Sequence, residues 1–316
     1  MSTTSLPADD RWDADIELPE ARSNRPTTFM HKVENRLAQM LLGWLNRMGI
    51  ENASRRMGGL MEKVGPMLRP VHRRGHDNLA LIYPDMTTAE RAAILRGVWR
   101  NLGSTVGEFA HLDKLADRVT VRHDERLQEL IDNDQKAIFF SAHMANWEAM
   151  AATLHARGLK YAVVYRAANN PLVDASIIER RAAAMSRRQI PKGKRGARDL
   201  VKVLNEGLSL CMLTDQKLND GISSPLLGFP AMTTPAAARL ALRENIPLIP
   251  LQLIREPGSR FTMTVHEPLS IEETGDSKAD MQALTDAMNA KLGEFILERP
   301  DQWLWLHRRW PKKVAA

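Results

Sequence analysis

Hydrophobic positions in the first part of the chain recur every three or four residues, which is the spacing of amphipathic helices. In residues 29–49 these positions are Met30, Val33, Leu37, Leu41, Trp44 and Met48. Similar spacing covers 51–64, 71–82 and 87–111, the last of which opens with Thr87 and Glu90 in capping-box positions. Residues 26–125 are therefore predicted to form a helical region.

Two roles remain open for the helix over residues 29–49. It can pack against the domain core, or it can lie in a membrane surface with Trp44 and the flanking basic residues at the level of the lipid head groups. Its apolar run, residues 37–46, has about half the length that a bilayer-spanning helix requires. Any attachment to a membrane is therefore expected to be peripheral.

From about residue 126 the pattern changes to short β-rich runs that alternate with helical stretches. The β-rich runs are 137–140, 161–165, 207–214, 246–254 and 260–268. This alternation predicts an α/β fold with a mixed, largely parallel central sheet flanked by helices, in which residues 126–316 form one continuous domain with the helical region. Residues 1–25 are acidic and polar and are predicted to be a disordered tail.

Three of the predicted strands are followed by a residue with a chemically active side chain. The first run ends shortly before His143, the second at Arg166 and the third at Asp215. In open α/β sheets the ligand crevice lies outside the carboxyl ends of the strands. We therefore expect these three side chains to converge, although 72 positions separate His143 from Asp215.

A histidine precedes an acidic residue with four residues between them at two places, His143/Glu148 and His72/Asp77. With nine histidines and 38 acidic residues among 316 positions, about one such pair is expected by chance. His72 and Asp77 lie in a charged stretch that is interpreted as a solvated helix start or loop. His143 lies in a turn after a strand, from which Glu148 can reach a ring nitrogen. These residues alone leave a catalytic pair and a structural turn both open.

The composition narrows the choice of partners. The net charge of +6 and the pI of about 9.5 favour anionic partners such as phospholipid head groups, phosphorylated substrates or acidic proteins. Nucleic acid is not expected, because aromatic residues make up only 5% of the chain and no known binding module is present. The single cysteine excludes an intramolecular disulfide, and the chain has no Gly-x-Ser-x-Gly elbow, His-Glu-x-x-His zinc motif or glycine-rich nucleotide fingerprint.

A series of motifs runs along the chain in a fixed order. They are NLGSTVGEF (101–109), SAHMANWE (141–148), YRAANNP (165–171), RGARDLVKVLNEG (195–207), DQ (215–216), GFPAMTTPAAARLA (228–241), IPLIP (246–250) and QWLWLHRRW (302–310). This series resembles the late acyltransferases of lipid A biosynthesis, the lauroyl/myristoyl family within the His-x4-Asp/Glu lysophospholipid acyltransferase superfamily. The resemblance extends over about residues 50–312.

The resemblance implies transfer of a fatty acyl chain from acyl carrier protein to a hydroxyl of a phosphorylated, Kdo-bearing lipid A precursor. Acyl-coenzyme A is the alternative donor, and no metal or other cofactor is expected. His143 would act as the general base and Glu148 would orient it. The remaining site residues, which bind substrate or organise the site, are Arg166, Asp215, Asn146 and Arg195. The expected location is the cytoplasmic face of the bacterial inner membrane.

Three alternatives remain. The acceptor can be a different glycerolipid or glycolipid, the protein can be a non-catalytic lipid-binding protein at a membrane surface, or water can replace the acceptor in a hydrolase.

In one respect the chain departs from the family, because many members begin with a plausible membrane-spanning helix. Peripheral attachment through residues 29–49 is therefore expected.

Overall fold

The computed structural model describes residues 11–19 and 27–311, and within them the chain forms ten α-helices and nine β-strands. The helices are α1 (Phe29–Asn46), α2 (Ile50–Val64), α3 (Arg69–Ile82), α4 (Thr88–Glu108), α5 (Asp124–Asp132), α6 (Trp147–Ala156), α7 (Pro171–Ala184), α8 (Lys194–Asn205), α9 (Ala236–Glu244) and α10 (Ser277–Glu298). The strands are β1 (Val119–Arg122), β2 (Ile138–Ser141), β3 (Tyr161–Tyr165), β4 (Gln189–Pro191), β5 (Ser209–Leu213), β6 (Ile222–Leu226), β7 (Phe229–Thr233), β8 (Leu248–Glu256) and β9 (Arg260–Val265).

Seven strands form the central sheet, in the order β1-β9-β8-β2-β5-β3-β4. Every neighbouring pair is parallel except β8 and β9, which form an antiparallel pair, while β6 and β7 make a separate antiparallel hairpin. All four residues of β2 are buried, as expected for a strand covered by helices on both faces. The predicted mixed, largely parallel α/β fold with an N-terminal helical region is confirmed.

The register of β2 and β5 brings distant residues together. Ser141 of β2 pairs with Leu213 of β5 in a parallel ladder. His143 and Asp215 each lie two residues beyond this pair, so they leave the sheet side by side at its carboxyl edge. The expected convergence of these two side chains therefore follows from strand pairing.

The helical region is held together by close contact of α2 with α4. The predicted capping box at the start of α4 is present, since Thr87 Oγ1 accepts from the backbone N–H of Glu90 at 3.3 Å and Glu90 Oε2 accepts from that of Thr87 at 2.7 Å. Further along α4, Gly103 and Gly107 face the backbone of α2, where a side chain would collide with carbonyl groups. None of the described helices combines the length and hydropathy that a bilayer crossing requires.

Two features differ from the sequence expectations. Residues 11–19 are not a disordered tail, because Asp13 is fully buried and accepts a hydrogen bond of 2.6 Å from the backbone N–H of Arg187. Arg11 donates to the carbonyl oxygen of Ala182 at 2.8 Å. The other residues of the predicted tail, 1–10 and 20–25, lie outside the described residues. In addition, β1 contributes a strand to the sheet from within the region predicted to be helical.

Replacement of Gly107 by alanine is expected to destabilise the protein. The new Cβ would lie 2.5 Å from the carbonyl oxygen of Ala53, and overpacking of this kind costs about 1–3 kcal/mol. Gly59→Ala is the matched control, because no atom lies within 4 Å of its Cβ position and alanine favours the helix by about 1 kcal/mol. Urea unfolding measures both effects, and equal stability of the two variants would contradict the close contact of α2 with α4.

Candidate active site

The imidazole of His143 is hydrogen-bonded to the carboxylate of Asp215. Nδ1 of His143 lies 2.7 Å from Oδ1 of Asp215, and the side chain of His143 is 15% exposed whereas that of Asp215 is fully buried. A carboxylate at Nδ1 favours the tautomer that carries its proton there, which leaves the lone pair of Nε2 free to accept a proton. On its other side, Nε2 of His143 lies 3.4 Å from Nε2 of Gln216.

The second oxygen of Asp215 is occupied as well. Oδ2 accepts from the backbone N–H of His143 at 3.0 Å and from the indole N–H of Trp303 at 2.9 Å. Burial by itself would raise the pKa of Asp215, but the charge of His143 and the hydrogen bonds from His143 and Trp303 hold that pKa well below its ordinary value, with a further contribution from His307. Asp215 is therefore ionised at neutral pH and stabilises the protonated form of His143.

Glu148 makes a different contact from the one expected. It lies in the first turn of α6, and its carboxylate pairs with the guanidinium of Arg181 on α7, with Oε2 at 2.9 Å from Nε and a second bond between Oε1 and Nη2. Trp147 donates its indole N–H to Oε1 at 3.1 Å. Among the described residues no hydrogen bond joins Glu148 to His143, so Asp215, not Glu148, is the residue that orients the imidazole. The physical reason is that α6 starts by turning Glu148 towards α7, where a guanidinium compensates its buried charge.

Arg181 was not anticipated from the sequence. Its side chain is 17% exposed. Burial acts to lower the pKa of Arg181, but the charge and hydrogen bonds of Glu148 reverse that effect, and the net pKa is raised. A permanently charged guanidinium therefore lies in the wall of the site. The sequence offered little to identify it, because arginines on helix surfaces are common and nothing local relates position 181 to position 148.

A cavity of about 270 Å³ lies beside His143 and the Glu148–Arg181 pair. His143, Glu148 and Arg181 are among the polar residues that line it, while most of the other lining residues are apolar. The apolar lining includes Phe139, Met150, Leu154, Val163, Met185 and Leu213. Cys211 also lines the cavity, and burial raises the pKa of its thiol, so this thiol is not a nucleophile at neutral pH. The arrangement is that of a proton acceptor in the wall of a largely apolar pocket.

The remaining predicted residues take several positions. Arg166 follows β3 and lies exposed at the mouth of the cavity. Asn146 does not line the cavity; it caps α6 by accepting from the backbone N–H of Glu148 at 3.1 Å. The side chain of Arg195 lies outside the described part of the structure. Within residues 11–19 and 27–311, no group of three or more His, Cys, Asp or Glu side chains has the arrangement of a metal site.

A buried polar network supports the turn that carries His143. Glu108, which is fully buried, accepts from Nδ2 of Asn146 and from the hydroxyl of Ser54, both at 2.8 Å. Its carboxylate also pairs with the guanidinium of Arg255, which in turn donates to Oδ1 of Asn101 at 2.7 Å. This pair links α4 and β8 to the cap of α6, and no sequence pattern indicates it, since 147 positions separate its members.

The backbone of the same turn is also bonded from both sides. Ala145 adopts a positive φ of 47°, a backbone conformation that residues other than glycine rarely take. Its carbonyl oxygen accepts from Asn101 at 3.0 Å and from Thr105 at 2.9 Å, while its N–H donates to the carbonyl oxygen of Gln302 at 3.1 Å. The backbone N–H of Leu304 donates to the carbonyl oxygen of His143 at 3.1 Å. The turn is therefore fixed between α4 and the C-terminal segment.

Separate removal of each charge of the Glu108–Arg255 pair is expected to be costly. Glu108→Gln leaves Arg255 without its partner and Arg255→Met leaves Glu108 without its own, and each change is expected to destabilise the protein by about 3–5 kcal/mol. The double variant should cost less than the sum, with a coupling of about 1–3 kcal/mol in urea unfolding.

The exposed pair of Arg100 and Glu62 provides the matched control. Its atoms approach to 2.5 Å, but Arg100 is 64% exposed. The same double-mutant cycle is expected to give a coupling below about 1 kcal/mol there. Additive costs at Glu108 and Arg255 would show that the two charges do not depend on one another.

The sequence was compared with known proteins. The family model described as bacterial lipid A biosynthesis acyltransferase matches residues 31–312. Similar proteins include a lipid A biosynthesis myristoyltransferase of Escherichia coli (strain K12), 24% identical over 261 residues that cover 79% of this chain and 77% of the relative. Lipid A biosynthesis acyltransferase 2 of Shigella flexneri is 23% identical over 253 residues, covering 77% and 78%. A lipid A biosynthesis acyltransferase of Haemophilus influenzae is 26% identical over 257 residues, covering 78% of each chain. The chain is an acyltransferase that belongs to the bacterial lipid A biosynthesis acyltransferase family.

Proposed function

We propose that the protein transfers a fatty acyl chain from acyl carrier protein to a hydroxyl of a phosphorylated, Kdo-bearing lipid A precursor. The observation that carries this proposal is the His143–Asp215 pair, whose histidine lines a largely apolar cavity. A general base beside a pocket for a hydrocarbon chain is what direct acyl transfer to a hydroxyl requires. The family to which the chain belongs supports the lipid A-type acceptor.

In this mechanism Nε2 of His143 takes the proton of the acceptor hydroxyl. The hydroxyl oxygen attacks the thioester carbonyl carbon, the new C–O bond forms, and the C–S bond then breaks. The imidazolium returns its proton to the leaving thiolate, so the products are an ester and the free thiol of the carrier. Asp215, which accepts from Nδ1, stabilises the imidazolium between these two proton transfers.

Attack on the thioester places negative charge on the carbonyl oxygen, and nearby positive charge stabilises it. Arg181 lines the same cavity as His143, and Glu148 holds its guanidinium by two bonds. We therefore assign Glu148 to the positioning of Arg181. This role replaces the orientation of His143 that the sequence suggested, and it retains Glu148 as a functional residue.

The apolar part of the cavity is proposed to hold the acyl chain. A volume of about 270 Å³ lies just below the range of about 300–1,000 Å³ for small-molecule pockets. The positive net charge of the chain suits an acidic carrier protein and a phosphorylated acceptor.

His143→Ala is expected to lower transfer by ~10²-fold or more, because it removes the general base. The assay follows labelled acyl groups from acyl carrier protein to a tetra-acylated lipid A precursor in detergent, with the fold of each variant verified by circular dichroism. Asp215→Asn should also reduce transfer, since an amide neither selects the tautomer nor stabilises the imidazolium. Asp77→Asn is the control, because this exposed residue belongs to the second His-x4-acid pair and lies away from the cavity.

The outcomes separate the alternatives. Equal transfer by wild type and His143→Ala would remove His143 from the chemistry. Absence of transfer by folded wild type would exclude this donor and acceptor, and a panel of glycerolipid and glycolipid acceptors would then follow. Release of free fatty acid in the presence of a good acceptor would favour the hydrolase, whereas lipid binding without any turnover would favour the non-catalytic protein.

We further propose that the protein attaches to the cytoplasmic face of the inner membrane through α1. Large apolar side chains on the outer face of α1 are exposed, namely Phe29, Met30, Leu37, Met40, Leu41 and Trp44. Lys32, Arg36 and Arg47 line the same surface. Exposed apolar residues bordered by cations are typical of a helix that lies in the interface of an anionic membrane.

Serine at positions 37, 40 and 44 in place of Leu37, Met40 and Trp44 is expected to weaken binding to phosphatidylglycerol vesicles at least ~10-fold. Each large apolar side chain contributes about 1.5–3 kcal/mol when it is fully buried. Vesicle sedimentation measures the partition. Leu297→Ser, at a similarly exposed leucine of α10, is the control and should bind like wild type.

Substitution is a cleaner test than truncation. Removal of the N-terminal residues through α1 would also remove the buried side chains of Asp13 and Leu45. Unchanged partition of the triple serine variant would show that α1 does not attach the protein to the membrane.

A further inference from the structure

Two cations lie side by side where strands β3 and β4 end. Tyr165 of β3 pairs with Pro191 of β4 in the parallel ladder, and the backbone N–H of Lys192 donates to the carbonyl oxygen of Tyr165 at 2.8 Å. Arg166 and Lys192 are the first residues after the ends of these two strands. Because adjacent strands lie about 4.8 Å apart, these two residues leave the sheet as neighbours.

Both residues are exposed, and both line the mouth of the cavity that contains His143. Neither forms an ion pair with any residue that the structure describes. Other arginines nearby are compensated, since Arg181 pairs with Glu148 and Arg188 pairs with Glu206. Like charges placed next to each other on a sheet are unfavourable unless an anion lies between them.

The electrostatic surroundings of Lys192 agree with this geometry. Neighbouring protein atoms desolvate the ammonium group even though the residue keeps contact with solvent, and this desolvation lowers the pKa of Lys192. The charge of Asp215 raises that pKa and the charge of Arg166 lowers it. Asp215 is not an ion-pair partner of Lys192, because His143 and Trp303 occupy its two oxygens.

The chain continues from Lys192 into α8 through Gly193, which has a φ of 133°. Among the side chains that the structure describes, none caps the start of α8, and none of the described atoms lies within 4 Å of the position that a Cβ of Gly193 would take. The first N–H groups of a helix carry partial positive charge, which adds to that of the two side chains. The start of α8 thus adds partial positive charge close to Lys192 in the chain.

We propose that Arg166 and Lys192 form a phosphate-binding subsite that holds a phosphate group of one reactant at the mouth of the cavity. A planar guanidinium and a mobile ammonium together suit the tetrahedral oxygens of a phosphate. This inference rests on the proposed function, which supplies two sources for the group. One is a phosphate of the glycolipid acceptor, and the other is the phosphodiester of the carrier's phosphopantetheine arm.

Transfer assays with matched substrates test the subsite. The first arm compares the lipid A precursor with the same lipid after phosphatase treatment, and the second compares acyl-phosphopantetheine with acyl-pantetheine. We expect wild type to prefer one phosphorylated substrate in kcat/KM, and Arg166→Gln and Lys192→Gln each to reduce that preference by about 10-fold or more. The substrate pair for which the variants lose the preference identifies which reactant supplies the phosphate.

Lys202→Gln is the matched control. This lysine lies two turns further along α8, and its side chain is 71% exposed. It should retain the wild-type preference. If the two site variants kept the wild-type preference in both arms, or if wild type transferred to both members of each pair equally, the subsite would be excluded while the proposed transfer still stood.

Direct binding of inorganic phosphate separates this inference from the proposed reaction. Broadening of the ³¹P resonance during titration is expected with wild type and Lys202→Gln, and it should be strongly reduced with the Arg166→Gln/Lys192→Gln double variant. Equal broadening by all three proteins would overturn the subsite, whether or not acyl transfer is observed.

Discussion

A carboxylate without contact to solvent is unfavourable unless donors and positive charge replace the lost water. Asp215 is such a carboxylate, and the organisation of the site follows from the way in which it is stabilised. It accepts three hydrogen bonds, two of them from His143 itself, through the ring and the backbone N–H. These bonds need the parallel register of β2 and β5. A shift by one residue would send the side chains to opposite faces of the sheet and would break the pair.

The turn after β2 has irregular backbone and yet lies in the interior. Its N–H and C=O groups need partners there, since water does not reach them. Asn101 and Thr105 of α4 supply donors on one side, and Gln302 and Leu304 complete the backbone bonds on the other. The Glu108–Arg255 pair lies beneath this turn and binds the cap of α6. The position of His143 is thus set by the helical region and the C-terminal segment together.

Helix α7 connects three features of the molecule. Its Arg181 enters the cavity wall, its Ser176 accepts a hydrogen bond of 2.7 Å from Gln39 of α1, and its Ala182 carbonyl accepts from Arg11. Gln39 of α1 also accepts a hydrogen bond from Arg180 of α7 at 3.3 Å, while several large apolar residues of α1 are exposed. Helix α7 therefore contacts α1 and the N-terminal segment and also carries the guanidinium that lines the cavity.

The sequence by itself determined the features that depend on local periodicity. It predicted the helical region, the largely parallel sheet and the strand ends that carry His143, Arg166 and Asp215, because burial of one helix stripe or of whole strands leaves a readable pattern. Contacts between distant residues were decided only by the tertiary structure. The spacing of His143 and Glu148 suggested that they interact. In the structure, strand pairing places His143 beside Asp215, and the direction of α6 places Glu148 beside Arg181. The contact of Glu108 with Arg255 and the packing of residues 11–19 were likewise decided only by the tertiary structure. Charged side chains pair with whichever opposite charge the fold brings near, and distance along the chain carries no information about that choice.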